Sequence, residues 1–193
     1  MGRYLNIGFG KMADDIRDDF YVDKSMFISV LNKRLESRSH FICVSRPRRF
    51  GKTMAANMIA AYYSKGCDSH EIFSDLKISK DPSFEEHINK YTVIKLDLNG
   101  AATDKGDMTI AQYYNQCVVS ELMKEYPDVG LPDGIKLSKA LTTIYEATGD
   151  MFVFIIDEYD LPIRDDKYSS ELDDYISFLV SLFKSEETNY TIA

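Results

Sequence analysis

The chain has 193 residues, 45% of them hydrophobic and 28% charged, with a formal net charge of -8. This length accommodates one well-buried core, so we expect a single domain over residues 1–193. The negative charge excludes a general attraction to nucleic acid or to an anionic membrane, so any polyanion site must be local. No apolar run reaches the length of a membrane span, and the N-terminus lacks the apolar core of a signal peptide. We therefore expect a cytoplasmic protein. Its three cysteines lack metal-ligand spacing and are interpreted as reduced, buried thiols: Cys43, Cys67 and Cys117.

The hydrophobic pattern predicts strands that alternate with helices. The first expected helix is capped by Asp23, ends near Leu35 and has Met26, Phe27, Val30 and Leu31 on one face. It is followed by a strand over about 40–45, a helix from near Lys52, and a strand over 91–98 that is closed by Asn99-Gly100. Helices over about 109–126 and 136–148 and a strand over 151–156 complete the predicted order. The last strand is continuously apolar, as in parallel strands that are covered on both faces. This order predicts an α/β fold, a three-layer sandwich with a mostly parallel sheet.

The first predicted strand runs into a loop that ends Gly51-Lys52-Thr53 and opens a helix. Glycine lets the backbone pass close to a phosphate, lysine supplies a charge to the terminal phosphates, and the threonine hydroxyl reaches a bound Mg²⁺. The usual pattern, G-x-x-x-x-G-K-[ST], has glycine where this chain has Arg46. The loop is therefore a degenerate match to a phosphate cradle.

A second motif, Asp157-Glu158, directly follows the last predicted strand. In an open parallel sheet, ligands bind beyond the carboxyl ends of the strands, so we expect both motifs to face one site. An aspartate there can hold Mg²⁺ beside Thr53, and the adjacent glutamate can polarise a water for attack on the γ-phosphate. The two motifs together correspond to the Walker A and Walker B elements of P-loop NTPases. Each is a weak signal alone, and their agreement in order and context supports the joint interpretation.

Charged residues beside both motifs leave alternatives open. Arg46, Arg48 and Arg49 can contact phosphate oxygens or pair with carboxylates of the acidic chain, and we favour a structural or mixed role. Asp160 and Arg164 can support Asp157 or form an ion pair with each other. We favour the ion pair.

Three segments, Tyr21-Val-Asp-Lys24, Ser45-Arg-Pro-Arg-Arg-Phe-Gly-Lys-Thr53 and Ile155-Ile-Asp-Glu-Tyr-Asp160, resemble the bacterial AAA-ATPase-like family over nearly the whole chain. That family itself carries arginine at the first glycine position. The motif at Tyr21 to Lys24 matches without an assigned chemical role. The resemblance implies ATP bound by the loop (Arg48, Arg49, Phe50, Gly51, Lys52 and Thr53), Mg²⁺ held by Thr53 and Asp157, and catalysis by Lys52 and by Glu158 as the water-activating base.

Members of that family typically continue into a further strand with a sensor residue, more helices and often a C-terminal nuclease-like domain of the PD-(D/E)XK type. We therefore expect a C-terminally incomplete P-loop NTPase domain of the ASCE/AAA-like kind, truncated in a central strand of its sheet, with weak or no turnover by this chain alone.

The leading functional hypothesis is an ATP-binding domain whose Mg²⁺-dependent hydrolysis drives a conformational change in the full-length protein. The alternatives are a non-catalytic interaction domain with a vestigial phosphate loop and a nucleic-acid-associated module. Direct nucleic-acid binding is disfavoured by the acidic charge. A nuclease-like domain or another protein is the expected partner besides nucleotide, and the sequence leaves the oligomeric state open.

Overall fold

The computed structural model describes residues 2–35, 37, 40–45, 50–184 and 191–192. The chain divides into two compact units, each described separately here. The first unit contains residues 1–94, 153–155 and 192–193, and the second contains residues 95–152 and 156–191.

Short helices make up most of the first unit. They are α1 (Gly10–Ile16), α2 (Met26–Asn32), α3 (Lys52–Tyr63), α4 (His70–Ser74), a 3₁₀ helix (Lys77–Lys80) and α5 (Phe84–His87). The helix α3 is central because its C-terminal half is almost entirely buried, including Tyr62 and Tyr63. The two rings pack edge to face with centroids 4.9 Å apart, and Tyr62 packs in the same way against Phe73 at 5.4 Å. Aromatic pairs of this geometry add to the stabilisation from buried area.

Helices also make up most of the second unit. They are α6 (Leu98–Asp104), α7 (Ile110–Glu125), α8 (Leu137–Thr148), α9 (Leu161–Arg164) and α10 (Leu172–Phe183), with 3₁₀ helices at Pro127–Val129 and Asp166–Glu171. The start of α7 is a capping box, in which Thr109 and Gln112 satisfy each other's backbone N–H groups. The end of α8 is the left-handed residue Gly149, with φ of 75°. The helices predicted over about 109–126 and 136–148 are confirmed as α7 and α8, to within one residue at each end.

Within the described residues, the sheet contains the strands β1 (Thr92–Asp97), β2 (Phe152–Asp157) and β3 (Thr191–Ile192), in the order β1-β2-β3. The strands β1 and β2 form a small parallel pair. Five consecutive residues of β1 are buried, as is typical of a parallel strand covered on both faces. Both strands confirm the sequence prediction, and the architecture is a mixed α/β fold with many helices.

The strand predicted over residues 40–45 does not form. The segment is irregular, with Phe41 47% and Val44 44% exposed. A strand forms only where a neighbouring strand pairs its backbone N–H and C=O groups. The last strand in the sheet order, β3, has two residues and therefore offers few such groups. An apolar run with strand propensity therefore lies outside the sheet.

Three smaller expectations are also corrected. Asn99 and Gly100 lie inside α6 instead of closing β1. The cap of α2 is Ser25 instead of Asp23, and α2 ends at Asn32 instead of near Leu35. Cys43 is exposed, and Cys67 and Cys117 are half-buried, so the expected burial of the thiols is wrong, although all three are thiols and not disulfides, as expected.

The outer face of α2 is also misassigned by the sequence pattern. Met26 and Val30 are 43% and 48% exposed, whereas Ile28, Ser29 and Asn32 are buried. The buried face also carries a polar contact, in which the Asn32 amide donates to the Ser83 hydroxyl at 2.8 Å.

Candidate functional site

The end of the phosphate-type loop is formed by Phe50 and Gly51, which lead directly into α3. Gly51 occupies the N-cap position in the left-handed conformation, with φ of 76° and ψ of 31°. This conformation favours glycine because it has no Cβ. Lys52 and Thr53 are the first two residues of the helix. The N–H groups of a first helical turn have no acceptor within the helix and carry a partial positive charge, so such a terminus suits an anion.

A cleft of about 300 Å³ lies beside this helix start. Its walls are mostly apolar, with Asp15 and Lys24 as the charged exceptions. Concave apolar sites with few polar groups are typical of small-molecule binding. The lining residues are Met12, Asp15, Phe20, Tyr21, Val22, Lys24, Phe50, Gly51, Met54, Ala55 and Met58.

Two polar side chains of the cleft have a defined state, Asp15 through a hydrogen bond and Tyr21 through its ionisation. The Asp15 carboxylate accepts a hydrogen bond from the Asn57 amide at 3.2 Å, and this contact ties α1 to α3. Burial, and after it the carboxylates of Asp23 and Asp15, raise the pKa of Tyr21 above its ordinary value. Tyr21 therefore presents a neutral phenol to the cleft at neutral pH.

The segment Tyr21 to Lys24 contributes to this cleft, which gives the motif a location that the sequence alone did not provide. Its Lys24 ammonium donates a hydrogen bond to the Phe50 carbonyl oxygen at 2.9 Å. These residues are 26 positions apart in the chain, and no feature of the sequence indicates that they touch. The motif and the loop are thus parts of one local structure.

The acidic motif belongs to the second unit. Asp157 is the last residue of β2, and its carboxylate accepts a hydrogen bond from the backbone N–H of Glu158 at 3.1 Å. Glu158 has φ of 55°, a conformation that costs free energy for any residue with a Cβ and that clusters at functional sites. The backbone is anchored next door by Tyr175, whose hydroxyl donates to the Tyr159 carbonyl at 2.8 Å.

Arg164 forms an ion pair with both acidic residues of this turn. It contacts Glu158 directly and reaches the Asp160 carboxylate at 3.3 Å. The predicted pair of Asp160 and Arg164 is confirmed. Its extension to Glu158 was missed, although a spacing of six residues across a tight turn is compatible with it. The Glu158 carboxylate is only 22% exposed and has a guanidinium as its close partner.

The predicted site residues therefore divide into three sets. Gly51, Lys52 and Thr53, with Phe50, lie together at the start of α3 in the first unit. Asp157 and Glu158 lie together at the end of β2 in the second unit. Arg46, Arg48 and Arg49 lie outside the described residues.

Two negative findings apply to the described part of the chain. Within it, no group of three or more His, Cys, Asp or Glu side chains is arranged to hold a metal ion. None of its helices has the length and apolar character needed to cross a membrane.

A left-handed glycine leading into a lysine and a threonine at a helix start, in a mixed α/β chain, is consistent with a P-loop-like protein. The chain belongs to the family of predicted AAA-ATPases, whose model matches residues 8–190. The family resemblance carried by the three sequence motifs is thereby confirmed, and the family suggests nucleotide binding.

A curated relative is the "Uncharacterized protein in vnfD 5'region" of Azotobacter chroococcum mcd 1. It is 22% identical over 180 residues, which cover 91% of this chain and 33% of that protein. The chain thus spans about a third of the length of this relative. No solved structure matches the chain.

Proposed function

We propose that this chain binds Mg²⁺-ATP through the loop that ends at Gly51, Lys52 and Thr53. The supporting observation is the left-handed Gly51 at the N-cap of α3, which places Lys52 and Thr53 in the first helical turn. In this proposal the N–H groups of that turn and the Lys52 ammonium bind the phosphates. Arg48 and Arg49 add guanidinium contacts, and Phe50 borders the nucleotide.

The residues at Gly51 fit a phosphate group. A Cβ built at this position would lie 2.9 Å from the Lys24 Nζ atom, so only glycine leaves that space open. Because glycine has no Cβ, a ligand can also approach its backbone closely. A neutral or acidic replacement of Lys24 would not carry the positive charge that now lies beside this backbone.

The metal and the chemistry are assigned to the acidic motif together with Thr53. The Thr53 hydroxyl and the Asp157 carboxylate are oxygen ligands of the kind that Mg²⁺ takes. When bound, the ion neutralises charge that develops on the phosphate oxygens. Glu158 orients and deprotonates the attacking water, a role that suits a carboxylate at a strained turn. Hydrolysis coupled to a conformational change is the proposed activity of the longer protein.

Calorimetry with Mg²⁺-ATP tests the binding step. The variant Lys52→Ala removes the ammonium that is proposed to contact the phosphates, and we expect Mg²⁺-ATP binding to weaken by at least about tenfold. The matched control is Lys80→Ala, which removes an exposed lysine of the same unit. Equal affinity in wild type and Lys52→Ala would rule out the cradle.

A non-catalytic role is the second candidate, and the ion pair of Glu158 with Arg164 favours it, because a carboxylate oxygen engaged by a guanidinium is not open to an attacking water. Glu158→Gln separates the two. An ATPase keeps bound nucleotide and loses turnover, whereas an interaction domain changes in neither respect. We further propose that the nucleotide state is communicated to another part of a longer protein, with a nuclease-like domain as the candidate that the family resemblance suggests.

A further inference from the structure

The backbone on both sides of Lys24 is anchored. The Asp23 carboxylate accepts hydrogen bonds from the N–H of Ser25 at 2.8 Å and from the N–H of Lys77 at 2.9 Å. The Ser25 hydroxyl, which is fully buried, accepts from the N–H of Ile78 at 3.1 Å. Residue 24 therefore lies between two neighbours that are fastened to the same 3₁₀ helix, Lys77–Lys80.

The electrostatic state of Asp23 strengthens this anchor. Partial burial alone would raise the pKa of its carboxyl group, but hydrogen bonds from Ser25 and Lys77 outweigh burial and hold the pKa below its ordinary value. Asp23 is thus ionised at neutral pH and accepts both bonds as a carboxylate. Bonds to an ionised acceptor are stronger than bonds between neutral groups.

From this anchored position Lys24 reaches the loop. Its ammonium donates to the Phe50 carbonyl at 2.9 Å. A trans peptide is planar, so the carbonyl of Phe50 and the N–H of Gly51 point in opposite directions. Holding the carbonyl toward Lys24 therefore also sets the direction of the Gly51 N–H.

Gly51 is adapted to the same contact. Its φ of 76° is the conformation that turns the loop into α3, and an added Cβ would meet the Lys24 Nζ at 2.9 Å. The side chain of Phe50, in contrast, is 61% exposed and does not hold this peptide by packing. The hydrogen bond from Lys24 therefore restrains the Phe50 carbonyl.

We propose that Lys24 is a positioning residue of the phosphate loop, which aims the Gly51 N–H by holding the carbonyl of the same peptide. The inference deepens the proposed function and rests on it, because only a phosphate-binding loop gives that N–H a ligand. It also gives the motif at Tyr21 to Lys24 a role: Asp23 and Ser25 fasten the segment, and Lys24 transmits the fixed position to the loop.

The test compares three variants of the whole chain by the Gly51 amide resonance, by the Kd for Mg²⁺-ATP and by the melting temperature. Lys24→Met keeps most of the length of the side chain and removes the donor, and Lys24→Arg restores a donor. Lys80→Met is the matched loss of an exposed lysine side chain at the end of the 3₁₀ helix, away from the N–H groups that fasten the segment. Labelling with ¹⁵N-glycine yields at most ten amide resonances, since the chain has 10 glycines, and Gly51 is assigned from its loss in Gly51→Ala.

We expect the Gly51 resonance to shift or broaden in Lys24→Met, to return toward the wild-type position in Lys24→Arg, and to stay unchanged in Lys80→Met. We expect Mg²⁺-ATP to bind about tenfold more weakly to Lys24→Met, with partial recovery in Lys24→Arg and an unchanged melting temperature. A role in stability alone would lower the melting temperature without recovery by arginine.

An unmoved Gly51 amide in Lys24→Met would overturn the inference, and so would wild-type affinity for Mg²⁺-ATP in that variant while Lys52→Ala loses binding. Failure of the proposed function has a different signature, in which Lys52→Ala binds as the wild type does. The glycine resonance reports on Lys24 in the absence of nucleotide, so the two failures are distinguishable.

Discussion

The guanidinium of Arg164 donates a hydrogen bond to the carboxylate of Glu158, the residue proposed as the general base. The arginine lies on α9, six positions after Glu158, and its other nitrogen holds Asp160 at 3.3 Å. A carboxylate oxygen held by a guanidinium in this way has to leave that partner before it can contact a water. The turn therefore carries both the proposed base and a group that restrains it.

Replacing Arg164 by methionine removes this restraint. We expect phosphate release under single-turnover conditions to accelerate on the order of tenfold, with the Kd for Mg²⁺-ATP unchanged, since proton transfer to a positioned base contributes at least this much. The control is Arg17→Met, which breaks an exposed pair with Asp14 in the other unit. Slower release in Arg164→Met would mean that the arginine supports the chemistry instead of restraining it.

The anchor at Asp23 makes stability depend on pH. Its folded-state pKa lies below the ordinary aspartate value of 3.8, so the stabilisation is fully present above that value and is lost as pH falls through the folded-state pKa. Because the carboxylate is partly exposed, we expect Asp23→Asn to lower the free energy of unfolding at neutral pH by only about 0.5–1 kcal/mol.

Urea unfolding at pH 7 and at about pH 3 checks this expectation. The difference between wild type and Asp23→Asn should shrink at the lower pH. Asp75→Asn, in an exposed part of the same unit, should show no such trend. A difference that grows on acidification would contradict the assignment of the lowered pKa.

Asn32 is the centre of a buried polar cluster in the first unit. It accepts from the Tyr63 hydroxyl at 2.6 Å and donates to Tyr62 at 3.1 Å. Burial raises the pKa of Tyr62 to about 12 and that of Tyr63 further, so both stay protonated over the physiological range. We expect Asn32→Leu to lower the free energy of unfolding by about 2 kcal/mol, because the Tyr63 hydroxyl loses its acceptor.

A double-mutant cycle provides the control. Tyr63→Phe removes the donor, so the double variant Asn32→Leu/Tyr63→Phe should cost less than the sum of the single changes by about 1 kcal/mol. Additive losses would show that the hydroxyl finds another partner. Chemical denaturation of the four proteins measures the coupling.

A largely buried ion pair lies at the start of α7 in the second unit. Lys105 lies 2.7 Å from Glu171, whose other oxygen accepts from the N–H of Ile110 at 3.0 Å. The side chains are only 13% and 15% exposed. We expect Lys105→Met to lower the free energy of unfolding by about 2–3 kcal/mol, because it leaves a poorly solvated carboxylate without its partner.

The comparison is with the exposed pair of Lys167 and Asp165, where Lys167→Met should have little effect on the free energy of unfolding. Adding Glu171→Gln to Lys105→Met should recover part of the loss, since it removes the unpaired charge. Thermal and urea unfolding give both values. Equal costs at the two lysines would contradict the role of burial.

Much of the chain could be predicted because its signals are local. The helices α3, α7 and α8 and the strands β1 and β2 follow from the spacing of apolar residues within each segment, and the structure confirms them. The chain position of the phosphate-type loop, directly before α3, follows in the same way. The spacing of apolar residues predicts an element correctly where the apolar side of the segment is the side that is buried, regardless of which element packs against it.

Other features depend on partners that are distant in the chain. The run at residues 40–45 has the composition of a strand and lies outside the sheet. The buried face of α2 includes Asn32, which contacts Ser83, 51 positions away. Similarly, the hydrogen bond from Lys24 to Phe50 joins residues 26 positions apart. Apolar spacing contains no information about such pairs.

The sequence by itself determined the family, the order of most helices and strands and the residues proposed to bind phosphate, because each depends on a short run of side chains. Only the tertiary structure decided that the motif at Tyr21 to Lys24 meets the loop at Phe50 and that Glu158 is restrained by Arg164. Both contacts arise when turns and anchored segments bring charged groups within hydrogen-bond distance. Their positions depend on the folding of the backbone around them, which no local pattern encodes.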